Sequence, residues 1–207
     1  MKVLLVNGSP HPKGCTYTAL QEVAGQLEKE GVESVLLQLG TRPVQDCIAC
    51  GKCAESGLCV FKDDAVNEAI GLLKECDGLV VGSPVYYGGP TGSLCSFLDR
   101  LCFRKAAPYA GKPAACVVSC RRGGATAAFE RLNQFFGMLN MPIVTSQYWN
   151  MVHGNTPDQV LQDIEGLQTM RTLAKNMAWL IKCIEAGRKA GITKPDYEPW
   201  TPTNFIR

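Results

Sequence analysis

Two kinds of hydrophobic pattern alternate along the chain. Four short runs are almost continuously apolar: "KVLLV" (2–6), "VESVLLQL" (32–39), "GLVVGSP" (78–84) and "PAACVVSC" (113–120). Runs of that length, rich in Val and Leu and flanked by Gly, Pro or Ser, predict strands buried on both faces. A shorter fifth strand is predicted within "PIVTSQYW" (142–149). Between the strands the period becomes helical. From Thr16 onward, Leu20, Val23, Ala24 and Leu27 share one face, and "DDAVNEAIGLLKEC" (63–76), "TGSLCSFLDRLCF" (91–103) and "ATAAFERLNQFFGML" (125–139) predict further helices. Pro157 to about Gly187 predicts one long helix, with Thr156 as N-cap and Pro157 in its first turn. The tail, 188–207, is rich in Pro and aromatic residues and has no period.

Buried strands alternating with helices imply a parallel sheet covered on both faces. Five such units suit an α/β, flavodoxin-like, doubly wound five-stranded parallel sheet of order 2-1-3-4-5. The expected organisation is one unit over 1–187, carrying a cysteine-loop insertion at 47–59, followed by a C-terminal tail at 188–207.

Composition narrows the function classes. The net charge of +2 without a basic tract gives no reason to expect nucleic acid or an anionic membrane as partner. No apolar stretch approaches the ~18 residues of a membrane span, and the N-terminal apolar run is too short for a signal peptide. A cytoplasmic protein is expected. Its eleven cysteines are then expected as thiols rather than disulfides. Cys76, Cys95, Cys102, Cys116 and Cys183 fall within apolar patterns and read as small packing residues.

In a doubly wound sheet the ligand lies beyond the carboxyl ends of the strands, at the switch point. After strand 1, "NGSPHPKGCTYT" (7–18) opens a helix and is rich in hydroxyls, with Ser9 and Thr16 foremost and Tyr17 and Thr18 beside them. It is neither a dinucleotide fingerprint nor a P-loop. As a helix N-terminus it suits a monoester phosphate; otherwise it is a plain turn. After strand 3, "GSPVYYGGPTGSL" (82–94) offers Tyr86 and Tyr87 as planar faces for a flat ligand, unless they are ordinary packing. After strand 4, "SCRRGGATAAF" (119–129) brings the Gly123 and Gly124 amides and Arg121 or Arg122 to a ligand edge, or else forms an exposed turn. Phosphate donors, an aromatic ledge and a cationic edge on three successive loops suit flavin mononucleotide, FMN.

Those segments resemble the NADPH-dependent FMN reductase and multimeric flavodoxin family. With "CIACGKCAESGLC" (47–59) added, the chain resembles its iron–sulfur flavoprotein branch. The resemblance implies that Ser9, His11, Cys15, Thr16 and Tyr17 serve the phosphate. It assigns Pro84, Val85, Tyr86, Tyr87 and Gly88 to the isoalloxazine, and Arg121, Gly123 and Gly124 to its pyrimidine edge. Two positions depart from the family pattern: His11 stands for Arg and Cys15 for Asn. A histidine replaces an arginine's charge only when protonated, and a thiol is a weaker donor than an amide. Trp149 and Asn150 are candidates for the pocket edge, while His153 reads as a residue that packs or makes a local hydrogen bond rather than one that does acid–base work.

Cys47, Cys50, Cys53 and Cys59 have the spacing C-x2-C-x2-C-x5-C. Such thiolates suit one [4Fe–4S] cluster; free thiols and a zinc site are the alternatives, though zinc sites more often pair two separated hooks. The branch resemblance implies cluster-to-flavin electron transfer in an oligomer. The leading expectation is an FMN-dependent oxidoreductase whose cluster links the flavin to a one-electron carrier protein. A cluster-free NAD(P)H-dependent FMN or quinone reductase is the second, and a non-catalytic redox-sensing flavin module the third. The apolar positions of the long helix and the aromatic tail (Tyr197, Trp200, Phe205) predict a homodimer or homotetramer, with the tail lying on its own core or a neighbour.

Overall fold

A computed structural model describes residues 1–103, 109–199 and 201–203. Five parallel strands form one sheet in the order β2-β1-β3-β4-β5. They are β1 (Lys2–Asn7), β2 (Glu33–Gln38), β3 (Gly78–Pro84), β4 (Ala114–Cys120) and β5 (Met151–His153). The helices are α1 (Cys15–Lys29), a single turn α2 (Cys53–Ser56), α3 (Val66–Glu75), α4 (Gly92–Cys102), α5 (Ala125–Met138), α6 (Pro157–Gln162) and α7 (Ile164–Lys189).

Strand alternation divides the core. Val3 and Leu5 of β1 face α1 and α7, while Leu4 and Val6 face α3, α4 and α5 with Phe97, Leu98 and Phe136. On α7 the buried positions Met170, Leu173, Ala174, Met177, Ala178 and Ile181 follow helical spacing and cover the sheet beside α1. The central strands are buried along nearly their whole length, which explains why their sequences are apolar without alternation.

Two expectations are corrected at the C-terminal half. The fifth strand is Met151–His153, not a segment within 142–149. Residues 142–144 do run beside the start of β4, where the Ala114 amide donates to Pro142 O at 2.9 Å and the Val144 amide to Ala114 O at 2.8 Å. The chain then swings away and returns, and the Val118 amide donates to Asn150 O at 2.9 Å. Ser146 holds this excursion by donating to Tyr148 O at 2.6 Å and pairing with Asn150 Oδ1 at 2.7 Å. The long helix is likewise interrupted at Asp163, whose ψ of 77° ends α6 and whose Oδ1 caps α7 by accepting from the Gly166 amide at 2.9 Å.

Cys76 and Cys116 are buried as expected, and Cys95 and Cys102 are half-buried, but Cys183 is exposed on α7. The helix continues to Lys189, two residues beyond its expected end at Gly187. Tyr197 is exposed rather than laid on its own core, and Trp200 and Phe205 lie outside the described residues.

Candidate functional site

Beyond the carboxyl ends of the central strands lies an open cleft of about 670 Å³. That is within the roughly 300–1,000 Å³ typical of small-molecule sites. Ser9, His11, Cys15 and Thr16 line one side, Pro84, Val85 and Tyr86 another, and Arg121 a third. The three loops singled out from the sequence therefore meet in one place.

The first loop is fixed from beneath by buried polar groups. Asn7, fully buried, donates to Gln38 Oε1 at 2.6 Å and accepts from the Ser9 amide at 3.1 Å. Gln38 donates to Ser9 O at 2.7 Å, and Ser9 Oγ accepts from the His11 amide at 3.1 Å. The Gly8 amide donates to Gly82 O of β3 at 2.8 Å, and Thr91 Oγ1, at the N-cap of α4, donates to Gly8 O at the same distance. Buried polar groups this well satisfied hold one loop shape before any ligand arrives.

At the N-terminus of α1 the cap is Gly14, which contributes no side-chain acceptor. Among the described residues, no acceptor takes the first-turn amides of Thr16 and Tyr17. Such amides, at the positive end of a fifteen-residue helix, could donate to an anion. His11, Lys13 and Arg121 add basic groups, and among the described residues no Asp or Glu lines the cleft. A phosphate fits these donors. The hydroxyl expected to serve it from Thr16 is instead buried and paired with Ser119 Oγ at 2.9 Å, so Thr16 offers its backbone amide. Cys15 donates weakly to Gly154 O at 3.6 Å, and burial pushes its thiol above the usual range.

The ledge after β3 is a tight turn. The Tyr86 amide donates to Gly89 O at 2.8 Å and the Gly89 amide to Tyr86 O at 3.0 Å. The central residues, Tyr87 and Gly88, have φ of 51° and 80°, the geometry of a type I′ turn. Tyr86 borders the cleft; Tyr87 projects into solvent at 110% exposure and does not line it. Tyr17, Gly88, Gly123 and Gly124 also lie outside the cleft's immediate lining. Gly124 nevertheless joins two of the loops: with φ of 87°, a methyl group on it would stand 2.9 Å from both Gly88 Cα and Val85 Cγ1.

The sequence reading missed Lys13, Cys120 and the segment Gly154–Pro157 on the cleft wall. That last segment is the loop after the true fifth strand. Placing the strand at 142–149 hid it, whereas "MVHGNTP" carried the signal: two apolar residues, then turn residues and a capped helix. Trp149 and Asn150, suggested for the pocket edge, do not line it. His153 donates its amide to Asp163 Oδ2 at 2.6 Å, beside the start of α7.

The four loop cysteines border a second, much smaller cavity of about 30 Å³, together with Ile48, Phe61, Arg100 and Phe103. Cys47 and Cys50 are exposed, and Cys53 and Cys59 half-buried. Among the described residues, no three His, Cys, Asp or Glu side chains converge closely enough to hold a single metal ion. Asn67 pins the end of the loop, accepting from the Cys59 amide at 2.8 Å and donating to Cys59 O at 3.0 Å and Phe61 O at 2.9 Å. Arg100, buried in α4 and not recognised from the sequence, donates from Nε to Cys59 Sγ at 3.2 Å. Burial opposes its charge, but Asp64 and Cys59 more than offset this and hold the guanidinium above its usual pKa. The signal was a basic residue inside the apolar face of "SLCSFLDRL".

Comparison with known proteins shows the family and the fold. The profile of the NADPH-dependent FMN reductase family matches residues 1–156. An iron–sulfur flavoprotein of Methanocaldococcus jannaschii is 33% identical over 195 residues, covering 89% of this chain and 100% of the relative. An iron–sulfur flavoprotein of Methanosarcina thermophila is 27% identical over 193 residues, covering 91% and 99%. Among solved structures, a WrbA-like flavodoxin from Agrobacterium tumefaciens superposes with a TM-score of 0.61 at 19% identity, covering 88% of this chain and 98% of the other. The chain therefore belongs to the NADPH-dependent FMN reductase family and is a flavin-dependent oxidoreductase.

Proposed function

We propose that the chain is an FMN-dependent electron-transfer protein in which Cys47, Cys50, Cys53 and Cys59 carry a [4Fe–4S] cluster that connects the flavin to a one-electron carrier. The carrying observation is the pairing of two cavities in one chain: an anion-ready cleft and a small cavity ringed by four thiols. When bound, the flavin exchanges electrons singly or in pairs, which lets a two-electron donor such as NAD(P)H or a quinone serve a one-electron partner.

The chain's own groups supply binding and electrostatics. The α1 first-turn amides, with His11 and Lys13, take the phosphate. Pro84, Val85 and Tyr86 support the ring, with Tyr87 and Gly88 shaping the turn, and Arg121, Gly123 and Gly124 stabilise negative charge at its edge. No side chain is assigned as an acid or base. For the second site, thiols arranged around a cavity rather than on a point suit a multi-iron cluster better than one zinc ion, whose bonds to sulfur are only ~2.3 Å. The loop must draw in its exposed members, Cys47 and Cys50, to enclose it.

Residues 1–187 act as the flavin-binding unit and 188–207 as a tail in this reading. A cytoplasmic homodimer or homotetramer suits it. Trp179, Ile164 and Leu161 are exposed on α6 and α7, and no helix among the described residues is long and apolar enough to cross a membrane. Anaerobic purification, followed by a visible spectrum, iron and flavin analysis and NAD(P)H oxidation assays, tests the proposal. Flavin with about four irons per chain supports it; flavin without iron, together with rapid NAD(P)H turnover, replaces it with the cluster-free reductase.

A further inference from the structure

Arg100 is 3% exposed, and its guanidinium touches both stems of the cysteine loop. Nη1 donates to Gln45 O at 3.1 Å, ahead of Cys47. Nη2 reaches Phe61 O at 3.5 Å, beyond Cys59, and the guanidinium carbon lies 5.1 Å from the Phe61 ring centre. Asp64 pairs with Nη1 and Nη2 in a salt bridge almost wholly shielded from water. That pairing occupies the far side of the fork and leaves Nε–H for Cys59 Sγ at 3.2 Å. Arginine's planar fork allows this division of donors, which a lysine ammonium cannot reproduce.

We propose that Arg100 is a positioning residue for Cys59, holding its sulfur at the cavity and raising the potential at which a cluster ligated by that sulfur accepts an electron. The inference rests on the cluster reading above. A ligand sulfur gains negative charge when its cluster is reduced, and a buried N–H donor aimed at it favours the reduced state. Asp64 offsets part of the guanidinium's charge, so the directed Nε–H···S bond carries most of the effect. Lys52, inside the same loop but exposed, is screened by solvent and has little influence.

The test uses full-length protein reconstituted anaerobically with iron and sulfide: the wild type, Arg100→Lys, Lys52→Gln, and the double variant Arg100→Gln/Asp64→Asn. The double variant replaces the buried ion pair by a neutral pair and avoids stranding a carboxylate. Iron and FMN per chain are measured, and the cluster potential is read by EPR during titration with dithionite. Each cluster gains one electron from dithionite, which is oxidised, and no bond to the protein forms or breaks. We expect the double variant to shift the reduction equilibrium at least tenfold toward the oxidised state, about 59 mV for one electron. Arg100→Lys should give a smaller shift in the same direction, and Lys52→Gln a change under about threefold. Loss of iron from the double variant with FMN retained also supports positioning. Full iron with an unmoved potential in both Arg100 variants overturns the inference and leaves the cluster reading standing. A wild type that takes up no iron overturns both.

Discussion

At the loop after β1, buried Asn7 and Ser9 and half-buried Gln38 of β2 are bonded to one another and fix the chain that leads into α1. In the cysteine loop, Cys47 and Cys50 face solvent, Ala49 stands at a φ of 51° and Gly51 at 74°, and the firm anchors lie at Asn67 and Arg100. The first site is built from backbone held by the sheet, so its shape precedes its ligand. The second offers side chains on a stretch with one helical turn, α2, so the ligand must complete it. In the proposed reading one chain combines a preorganised organic-cofactor site with a metal site assembled on binding, and each can be disturbed separately.

The largest expected separation comes from Cys50→Ser. Removing one of four ligands should abolish iron uptake and the broad visible absorption of a cluster, while FMN affinity stays within about twofold because the cleft contains no residue of that loop. Iron analysis and FMN titration on the same sample check this. Joint loss of both cofactors would mean that the two sites fold as one.

The reverse disturbance is Gly124→Ala. Its methyl would crowd Gly88 Cα and Val85 Cγ1 at 2.9 Å in a backbone conformation that costs a non-glycine residue about 1–3 kcal/mol. Displacing the ledge from the loop after β4 should weaken FMN at least tenfold, equivalent to about 1.4 kcal/mol, with iron uptake unchanged. Equilibrium titration with FMN followed by fluorescence reads the difference.

How far the sequence reveals each site follows the same contrast. Continuous apolar runs identified β1, β3 and β4, and with them three loops that meet at the cleft. The fifth strand failed because its three residues are too few to set a pattern, while the neighbouring "PIVTSQYW" has strand-like composition. Its pairing with β4 is split by an excursion held through Ser146 and Asn150, which no local pattern reports. The break at Asp163 was hidden because the apolar spacing continues across it. Arg100 illustrates a further limit. Spacing identified the cysteines, but which charged side chain lies against them depends on how α4 packs beneath the loop.

A smaller effect is expected at the anchor shared by loop and helix. Asn67→Ala removes three hydrogen bonds to Cys59 and Phe61. The net worth of such bonds is about 0.5–1.5 kcal/mol each, and part is regained from water at this half-buried position. We expect a loss of about 1–2 kcal/mol in denaturant unfolding, with slower iron incorporation and unchanged FMN binding. If iron incorporation keeps its wild-type rate, Arg100 alone sets the loop.

The smallest effect at neutral pH concerns thiols outside the loop. Cys102, the last residue of α4, packs against the core, and burial, reinforced by Asp99, pushes its thiol from the ordinary 9.0 up to about 12. Burial raises Cys116 as well, in the sheet, where its Sγ lies 3.4 Å from Asn133 Oδ1. A thiol whose folded pKa is raised binds more protons in the folded than in the unfolded chain through that window. Its contribution to stability is complete below about pH 9 and is lost as pH rises toward 12. Urea unfolding of the wild type and Cys102→Ala should therefore show a stability difference that is constant up to about pH 8.5 and narrows above pH 9. Alkylation at pH 8 should label the exposed Cys47, Cys50 and Cys183 in the cluster-free protein and spare Cys102 and Cys116, because the thiolate is the reactive species and burial holds those two thiols protonated. Rapid labelling of Cys102 under native conditions would mean that α4 opens locally, and the clasp between Arg100 and the cysteine loop would open with it.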